Sequence, residues 1–273
     1  MMSHWVSVSV VRIKVASHLA TLNHSNHDLG ILKRQHSLGL EHPRDKLKIC
    51  FGLSINDERT VGILEAFVTQ HENFFASMEI VSVKPVARGA MSTSPWRNST
   101  LRRHKEIIAK TRNDLLEKTL DPQHDWVLWI DAAVADYPKD IIARLLASKG
   151  RIVAPNCVSD AGGPSTDLSS FLMVSQPTRA GLYRFIRHGL LQPPQDWWPR
   201  RHLHDLRYLE AVPLHGVGSS MLLVDADCHR AGLKFPEKPY RHLIATEAFG
   251  LVAREAGVIP IGLPKLEIVR LRT

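Results

Sequence analysis

An acidic side chain, Asp131, lies where a short apolar run ends. The run Trp126–Ile130 is unbroken, which is typical of a strand buried on both faces. Pro138 then opens the segment Lys139–Leu146, whose apolar residues recur at helical spacing. A strand that delivers an acid to its carboxyl end and is followed by a helix is the unit of an open α/β sheet. Ligands of such sheets bind beyond the carboxyl ends of the strands, so Asp131 is the first candidate site residue.

The elements that must position this carboxylate alternate along the chain between strand and helix patterns, without internal repeats. This alternation predicts an α/β fold. We expect a poorly ordered N-terminal lead-in over residues 1–45, with a possible strand at its start, and one domain over residues 46–273. The predicted strands are 47–55, 78–83, 126–130, 151–156, 219–224 and 258–263. The predicted helices are 61–67, 101–119, 139–146, 179–191, 225–232 and 245–256.

Composition limits the classes of partner. The chain has 273 residues, a net charge of +8 and a pI of about 9.6. Its basic residues are scattered, and the densest cluster is only Arg102-Arg103-His104-Lys105. We therefore expect an ordinary basic surface and no nucleic-acid partner. Three scattered cysteines predict neither a disulfide framework nor a zinc site. No run approaches the roughly 20 apolar residues that span a bilayer.

Two adjacent tryptophans, Trp197 and Trp198, follow a proline-rich stretch. Exposed tryptophans are common in sugar-binding sites because their flat apolar faces stack on pyranose rings. Adjacent tryptophans also pack loops against the protein body. The sequence leaves both interpretations open.

Four segments, taken in order, resemble glycosyltransferase family 62, the fungal Golgi mannosyltransferases that extend cell-wall mannan. They are Ile108–Asn113, His124–Pro138, Ile152–Cys157 and the long block from Gly216-Val217-Gly218 to Gly262-Leu263-Pro264. No single segment is specific, but the ordered set covers most of the chain from Leu101 onward. The region between residues 160 and 209 matches poorly.

The resemblance implies a GT-A fold with a mixed, mostly parallel sheet flanked by helices. It implies GDP-mannose as donor, a divalent metal such as Mn²⁺, and transfer that retains the anomeric configuration. It also implies a mannan or N-glycan acceptor, a lumenal Golgi membrane location and assembly with related mannosyltransferases. A membrane anchor is not visible in this chain.

The chain departs from the family at the metal site. Breaking a sugar–diphosphate bond leaves negative charge on the phosphate, which must be neutralised as it develops. The family does this with a cation held by an Asp-x-Asp turn and a late histidine, but here the turn reads Asp131-Ala132-Ala133 and the late position is Arg270. Asp131 is thus the remaining ligand of an incomplete metal site. We hypothesise that Arg270 takes the cation's place and binds the diphosphate without metal.

Five further residues are candidates through the resemblance. Asp57 either contacts the nucleotide or caps the following helix. Arg112 and Asn113 either reach the donor phosphates or sugar, or lie on a solvated helix face. Glu247 either orients a sugar or places a favourable charge at a helix N-terminus. His215 lies where the family has an acid before Gly-Val-Gly, and histidine can serve as a general base.

A second acidic triplet, Asp225-Ala226-Asp227, is interpreted as a helix cap rather than a metal site. The sequence as a whole predicts a glycosyltransferase that transfers mannose from GDP-mannose. The alternative is a catalytically silent member of the family that serves as a scaffold subunit in a mannosyltransferase complex.

Overall fold

The computed structural model describes residues 6–12, 40–53, 58–82 and 98–271. A large mixed sheet forms the centre of this part of the chain, and helices cover both of its faces. Among the described residues, no helix is long and apolar enough to cross a membrane.

The large sheet contains eight strands in one continuous order. In chain order they are β1 (Val6–Arg12), β2 (Leu47–Leu53), β3 (Ser77–Ser82), β4 (Trp126–Asp131), β6 (Ile152–Val158), β11 (Val212–Pro213), β12 (Met221–Asp225) and β13 (Ile261–Arg270). Their order across the sheet is β11-β13-β6-β12-β4-β1-β2-β3, and the short strand β5 (Val134–Asp136) pairs with β13. β1 is parallel to β2 and β4, β2 to β3, and β13 to β6, whereas β12 runs antiparallel to both neighbours. The predicted mixed, mostly parallel α/β sheet is confirmed.

Apolar strands bury side chains on both faces of the sheet. All seven residues of β6 are buried, as are Val127–Ile130 of β4. Trp129 belongs to one core cluster, and Leu128 and Ile130 belong to the cluster on the opposite face. This alternation places a hydrophobic core on each side, which is the arrangement that unbroken apolar strands require.

Six α-helices and three 3₁₀ helices accompany these strands in the described ranges of the chain; two short 3₁₀ helices, Arg44–Lys46 and Glu72–Phe74, carry no label below. In chain order the labelled helices are α1 (Glu58–His71), α2 (Asn98–Thr119), α3 (Ile141–Ala147), α4 (Arg179–Tyr183), α5 (Leu203–Leu206, a 3₁₀ helix), α6 (Ala226–Arg230) and α7 (Ala245–Glu255). Leu115 and Leu116 of α2 and Phe249 of α7 pack in the same core cluster as Trp129. The long helix α2 and the late helix α7 therefore share one face of the sheet.

The predicted helix over residues 179–191 is wrong beyond its first turn. Helix α4 ends at Tyr183, and the segment continues as a hairpin of β8 (Ile186–Arg187) and β9 (Leu190–Leu191). The connecting residues His188 and Gly189 have φ values of 49° and 80°. Two consecutive positive φ values suit the tight two-residue turn of a hairpin, which the apolar periodicity did not indicate.

The last strand also differs from its prediction. It was expected to end at Leu263, but β13 continues to Arg270, with a register shift between Leu263 and Glu267. Leu266, within the irregular segment, and Ile268, after it, are both buried, so the core holds the strand through the irregularity. This extension carries Arg270 to the end of the sheet where β4 terminates.

Three further predictions concern the helix cap at Asp225, the strand near the N-terminus and the domain boundary at residue 45. Asp225 is confirmed as a helix cap, because its Oδ1 accepts a hydrogen bond from the Asp227 backbone N–H at 2.9 Å. Strand β1 lies between β2 and β4 in the sheet. The division of the chain at residue 45 stays a prediction.

Candidate functional site

Asp131 is fixed at the end of β4 by hydrogen bonds on two sides. Its Oδ1 accepts from the backbone N–H of Ala133 at 2.8 Å, and its own N–H donates to the Ser220 carbonyl at 2.8 Å. The side chain remains 27% exposed, so Oδ2 lies at an accessible edge of the sheet. The carboxylate is therefore positioned by its backbone and still available to a ligand.

Arg270 meets this carboxylate from the end of β13. The two strands converge because Arg270 pairs with Val134 of β5, directly after the Asp131 turn. Nη2 of Arg270 lies 4.0 Å from Oδ2 of Asp131, and the arginine side chain is 29% exposed. A half-buried guanidinium thus occupies the neighbourhood of the lone acid.

Helix α2 adds two basic residues, His104 and Lys105, that were not among the predicted site residues. Burial is the main reason that the pKa of His104 lies below its ordinary value, and the charges of Asp131, Lys105 and Arg270 also act on it. Its buried Nδ1 has no hydrogen-bond partner among the described residues. These charges place His104 in the electrostatic neighbourhood of Asp131 and Arg270. The sequence shows these two residues only as part of the basic cluster 102–105, for which an ordinary surface location was predicted.

Glu247 of α7 faces α2. Its Oε1 accepts from Nζ of Lys105 at 3.1 Å and from Oγ of Ser169 at 3.1 Å, and its side chain is only 12% exposed. The carboxylate is thus held between a helix and a loop that are distant in sequence. Its predicted role toward a sugar stays a prediction.

Asp167 and Arg112 form a buried clamp on the backbone of Ser219 and Ser220, which is hydrogen-bonded to Asp131. Oδ2 of Asp167 accepts from the backbone N–H groups of Ser219 and Ser220 at 2.6 and 2.8 Å, and from Oγ of Ser220 at 2.9 Å. On the other side, Nη2 of Arg112 donates to the Ser219 carbonyl at 2.7 Å. Since the Ser220 carbonyl receives the N–H of Asp131, Asp167 and Arg112 position the site through the start of β12.

The clamp explains why residue 218, the second glycine of the Gly-Val-Gly motif, has no side chain. A Cβ atom on Gly218 would lie 2.6 Å from Oδ2 of Asp167, which is closer than any ordinary contact. The glycine allows the backbone to approach the carboxylate. Asp167 lies in the poorly matching region 160–209, and no sequence signal identified it.

Arg112 and Asn113 are both buried, so the interpretation as a solvated helix face is wrong for both. The Arg112 guanidinium packs 5.8 and 5.3 Å from the rings of Trp129 and Phe235, and its Nε and Nη1 have no partner in the described ranges. Burial lowers the pKa of Arg112, while the charges of Asp131 and Asp167 oppose that shift. Arg112 therefore supplies a buried positive charge near both carboxylates.

Asn113 is hydrogen-bonded to the backbone of Phe235, in the segment before α7. Its amide donates to the Phe235 carbonyl at 2.8 Å, and its carbonyl accepts from the Phe235 N–H at 2.9 Å. These paired bonds tie α2 to the segment before α7. The predicted contact of Asn113 with a donor stays a prediction, as does that of Arg112.

His215 lies apart from the Asp131–Arg270 pair. Its Nδ1 accepts from the backbone N–H of Met173 at 3.1 Å, and burial is the main reason that its pKa lies below the ordinary value. In the described part of the chain, no hydrogen bond or ion pair joins it to Asp131 or Arg270. Asp57 lies outside the described residues.

The residues around Asp131 do not fit a divalent metal. Oxygen-rich ligand sets bind hard cations, yet the neighbouring turn position is Ala133 and the group facing Oδ2 is a guanidinium. Within the ranges that the structure describes, no group of three or more His, Cys, Asp or Glu side chains could hold a metal ion. The arrangement favours binding of an anion by positive side chains.

The fold is that of known glycosyltransferases. The chain superposes on the mannosyltransferase PcManGT from Pyrobaculum calidifontis, solved in complex with GDP-Man and Mn²⁺, with a TM-score of 0.54. The match covers 98% of this chain and 57% of that protein at 14% identity. At this identity the likeness concerns the fold, and it agrees with the predicted GT-A architecture.

Sequence relatives are subunits of fungal complexes. The chain is 28% identical over 243 residues to Mannan polymerase complex subunit mnn9 of Schizosaccharomyces pombe, covering 83% of this chain and 72% of that protein. It is 29% identical over 177 residues to Mannan polymerase I complex VAN1 subunit of Saccharomyces cerevisiae, covering 60% of this chain and 33% of the relative. The chain thus spans between a third and about three quarters of these two relatives. The Anp1 family model matches residues 30–174, more than half of the sequence, and the chain belongs to the Anp1 family.

Proposed function

We propose that this chain is a glycosyltransferase that transfers a mannosyl group from GDP-mannose to a mannan or N-glycan acceptor. The family membership and the glycosyltransferase fold support this function. The names of the relatives support assembly into a complex with related subunits. The same proposal includes a Golgi location with the domain in the lumen, which the family membership supports.

The observation that carries the proposal is the approach of Arg270 to Asp131 at the carboxyl end of β4. This edge of an α/β sheet is where ligands bind. A guanidinium offers several N–H donors in one plane and binds phosphate oxygens in pairs. Arg270 would therefore bind the diphosphate of the donor, and Asp131 would hold the guanidinium in place.

The chemical step requires stabilisation of the leaving group. Cleavage of the bond between the sugar's anomeric carbon and the phosphate oxygen transfers an electron pair to the nucleoside diphosphate. Positive groups placed before the reaction stabilise that developing charge without reorganisation. Arg270 would supply such a charge at this edge of the sheet. The residues present do not fit a metal ion, so the leaving charge is assigned to this side chain alone.

The second candidate function is a catalytically silent scaffold subunit. It is favoured by Ala133, which replaces the second acid of the expected turn, and by the names of the relatives as complex subunits. In this case the fold and the clamp would persist while donor binding would be absent. Donor binding therefore separates the two functions.

The decisive experiment titrates the purified chain with GDP-mannose in Mn²⁺ and, separately, in EDTA. We expect the same affinity in both conditions for the wild-type chain, because Arg270 replaces the cation. The double variant Ala133→Asp with Arg270→His restores two ligands and should bind only with Mn²⁺. The matched control is Arg144→Ala, which removes an exposed arginine on α3.

Each outcome has a distinct meaning. Strict Mn²⁺ dependence of the wild-type chain would overturn the metal-independent proposal. Absence of GDP-mannose binding in both conditions would favour the scaffold function. Binding without turnover, tested by release of GDP in the presence of a mannoside acceptor, would also remove the transfer step.

A further inference from the structure

A groove separate from the Asp131 pair lies along the segment from Gln195 to Tyr208. It encloses about 760 Å³, and Val174, next to the end of strand β7 (Phe171–Met173), completes its wall. Strand β10 (Arg200–His202), which pairs with β7, forms part of the same wall. This volume lies within the range of small-ligand sites.

The two adjacent tryptophans have different environments in the structure. Trp197 packs edge-on against Phe185, with ring centroids 5.7 Å apart, and therefore serves loop packing. Trp198 lines the groove and is 62% exposed, and Tyr208 lines it with 74% exposure. Two large aromatic faces are thus presented to solvent in one concave surface.

Trp198 is oriented for this exposure. The guanidinium of Arg201 lies 4.7 Å from its ring centroid and donates to the Trp198 carbonyl at 2.9 Å. Arg201 therefore holds the backbone of Trp198 and covers one face of its indole ring, while most of the side chain remains exposed. An aromatic ring held open in this way suits stacking on the apolar face of a sugar ring.

Carboxylates and arginines provide the polar part of the groove. Asp205 is oriented by the His202 N–H, which donates to its Oδ2 at 2.9 Å. Asp196 lies on the same surface, and in the described part of the chain its carboxylate forms no hydrogen bond or ion pair. Carboxylates accept hydrogen bonds from neighbouring hydroxyls, which sugars carry on adjacent carbons.

Arg200 supplies a buried charge at the groove wall. The residue is only 7% exposed and its guanidinium lies 4.0 Å from the Phe171 ring centroid. Its Nε and Nη2 have no hydrogen-bond partner among the residues that the structure describes. Arg200 therefore places a buried positive charge behind the wall of the groove.

The same arginine connects the groove with the candidate site. Burial lowers the pKa of Arg200, and the negative charge of Glu247 opposes that shift. Arg200 is therefore within electrostatic reach of Glu247, which in turn binds Lys105 on α2. The geometry agrees, because Arg200 packs on Phe171, two residues after Ser169, whose Oγ donates to Glu247.

We propose that this groove binds a mannose-containing oligosaccharide, the non-reacting part of the acceptor chain. Trp198 and Tyr208 stack on its sugar rings, and Asp196 and Asp205 accept hydrogen bonds from its hydroxyls. The assignment of the ligand as acceptor rests on the proposed transferase function. A protein partner is the competing occupant, since exposed tryptophan, tyrosine and arginine also occur at protein interfaces. The concave shape and the two carboxylates favour a hydroxyl-rich ligand.

The test uses the full chain and a linear α-mannotriose as the probe, titrated by calorimetry. We expect binding by the wild-type chain and a loss of at least about fivefold in affinity for Trp198→Ala and for Tyr208→Ala, because each removes a stacking face. The matched control is Tyr183→Ala, which removes another exposed aromatic residue (52%) outside the groove and should stay within about twofold of wild type. Titration of all variants with GDP-mannose monitors the fold and the donor site.

The outcomes separate this proposal from the proposed function. A wild-type chain that binds GDP-mannose but not mannotriose overturns the groove proposal alone. Mannotriose binding that depends on Trp198, without GDP-mannose binding, supports the groove and removes the transferase function. Mannotriose binding unchanged in both groove variants overturns the proposal. It is also overturned if Trp198→Ala leaves mannotriose binding intact but releases the chain from a co-expressed mannan polymerase subunit.

Discussion

Nη2 of Arg270 lies 4.0 Å from Oδ2 of Asp131, although the two residues are separated by more than half of the chain. The register of β13 against β5 brings them together at the end of the sheet. Both side chains are between a quarter and a third exposed, so they can bind a ligand while they remain oriented by the fold.

Removal of the charge at residue 270 should weaken donor binding. In Arg270→Gln we expect the affinity for GDP to fall by about tenfold or more, because hydrogen bonds to charged groups contribute roughly 1.5–3 kcal/mol. The measurement is a GDP titration at low and high salt, and the salt dependence should also decrease. Arg144→Gln is the control on the surface. Equal affinities for the variant and the wild type would remove Arg270 from the donor site.

Loss of the buried clamp should destabilise the protein. Asp167→Ala leaves the N–H groups of Ser219 and Ser220 without their acceptor and removes a negative charge near Arg112. We expect a decrease of about 2–4 kcal/mol in the free energy of unfolding, measured in urea. Asp140→Ala, at an exposed position directly before α3 whose side chain does not cap the helix, should change it by less than about 0.5 kcal/mol. A loss at residue 167 no larger than this control would show that the clamp does not hold the fold.

Two helical glycines should respond oppositely to alanine. A Cβ on Gly250 of α7 would lie 2.8 Å from the His215 carbonyl oxygen, so Gly250→Ala must push the helix from the loop and should cost about 1–3 kcal/mol. Gly62 of α1 has no atom within 4 Å of such a Cβ, and Gly62→Ala should stabilise by about 0.5–1 kcal/mol through helix propensity. Thermal unfolding of both variants measures the difference. Stabilisation by both substitutions would contradict the close approach at Gly250.

Acid should destabilise the protein through a buried histidine. Burial lowers the pKa of His229 to about 4, and its Nδ1 and Nε2 are paired with the Leu233 carbonyl and the Trp129 indole N–H, which suits the neutral ring. The unfolded chain takes up this proton near pH 6.5, so between pH 6.5 and 4 it binds more protons than the folded protein. Stability therefore falls as the pH decreases through this window, by up to about 3 kcal/mol from this group.

The check compares wild type with His229→Gln in urea at several pH values. The variant should start less stable at pH 7.5, because it loses ring packing against Phe235 and Phe249. Its stability should then decline less between pH 6.5 and 4 than that of the wild type. Parallel profiles for the two proteins would show that another group causes the acid sensitivity.

The sequence alone determined the central strand, the acid at its end and the α/β class. Local periodicity is sufficient for these features, because an unbroken apolar run must be buried and a carboxylate after it must lie at the sheet edge. The sequence also showed Ala133 and Arg270 where the family has metal ligands. It predicted the bounds of α2 and β4 within a few residues, since both elements are long or strongly apolar.

Tertiary structure decided which side chains meet. The pairs Lys105–Glu247 and Asp167–Ser219 join residues far apart in sequence, and no local pattern encodes such contacts. Helical periodicity assigned Arg112 to the charged face of α2, yet the face that carries it packs against Trp129 and Phe235. The turn at His188 and Gly189 likewise interrupted an apparent helix. In each case the deciding energy comes from packing and buried hydrogen bonds between distant segments, which a chain acquires only when it folds.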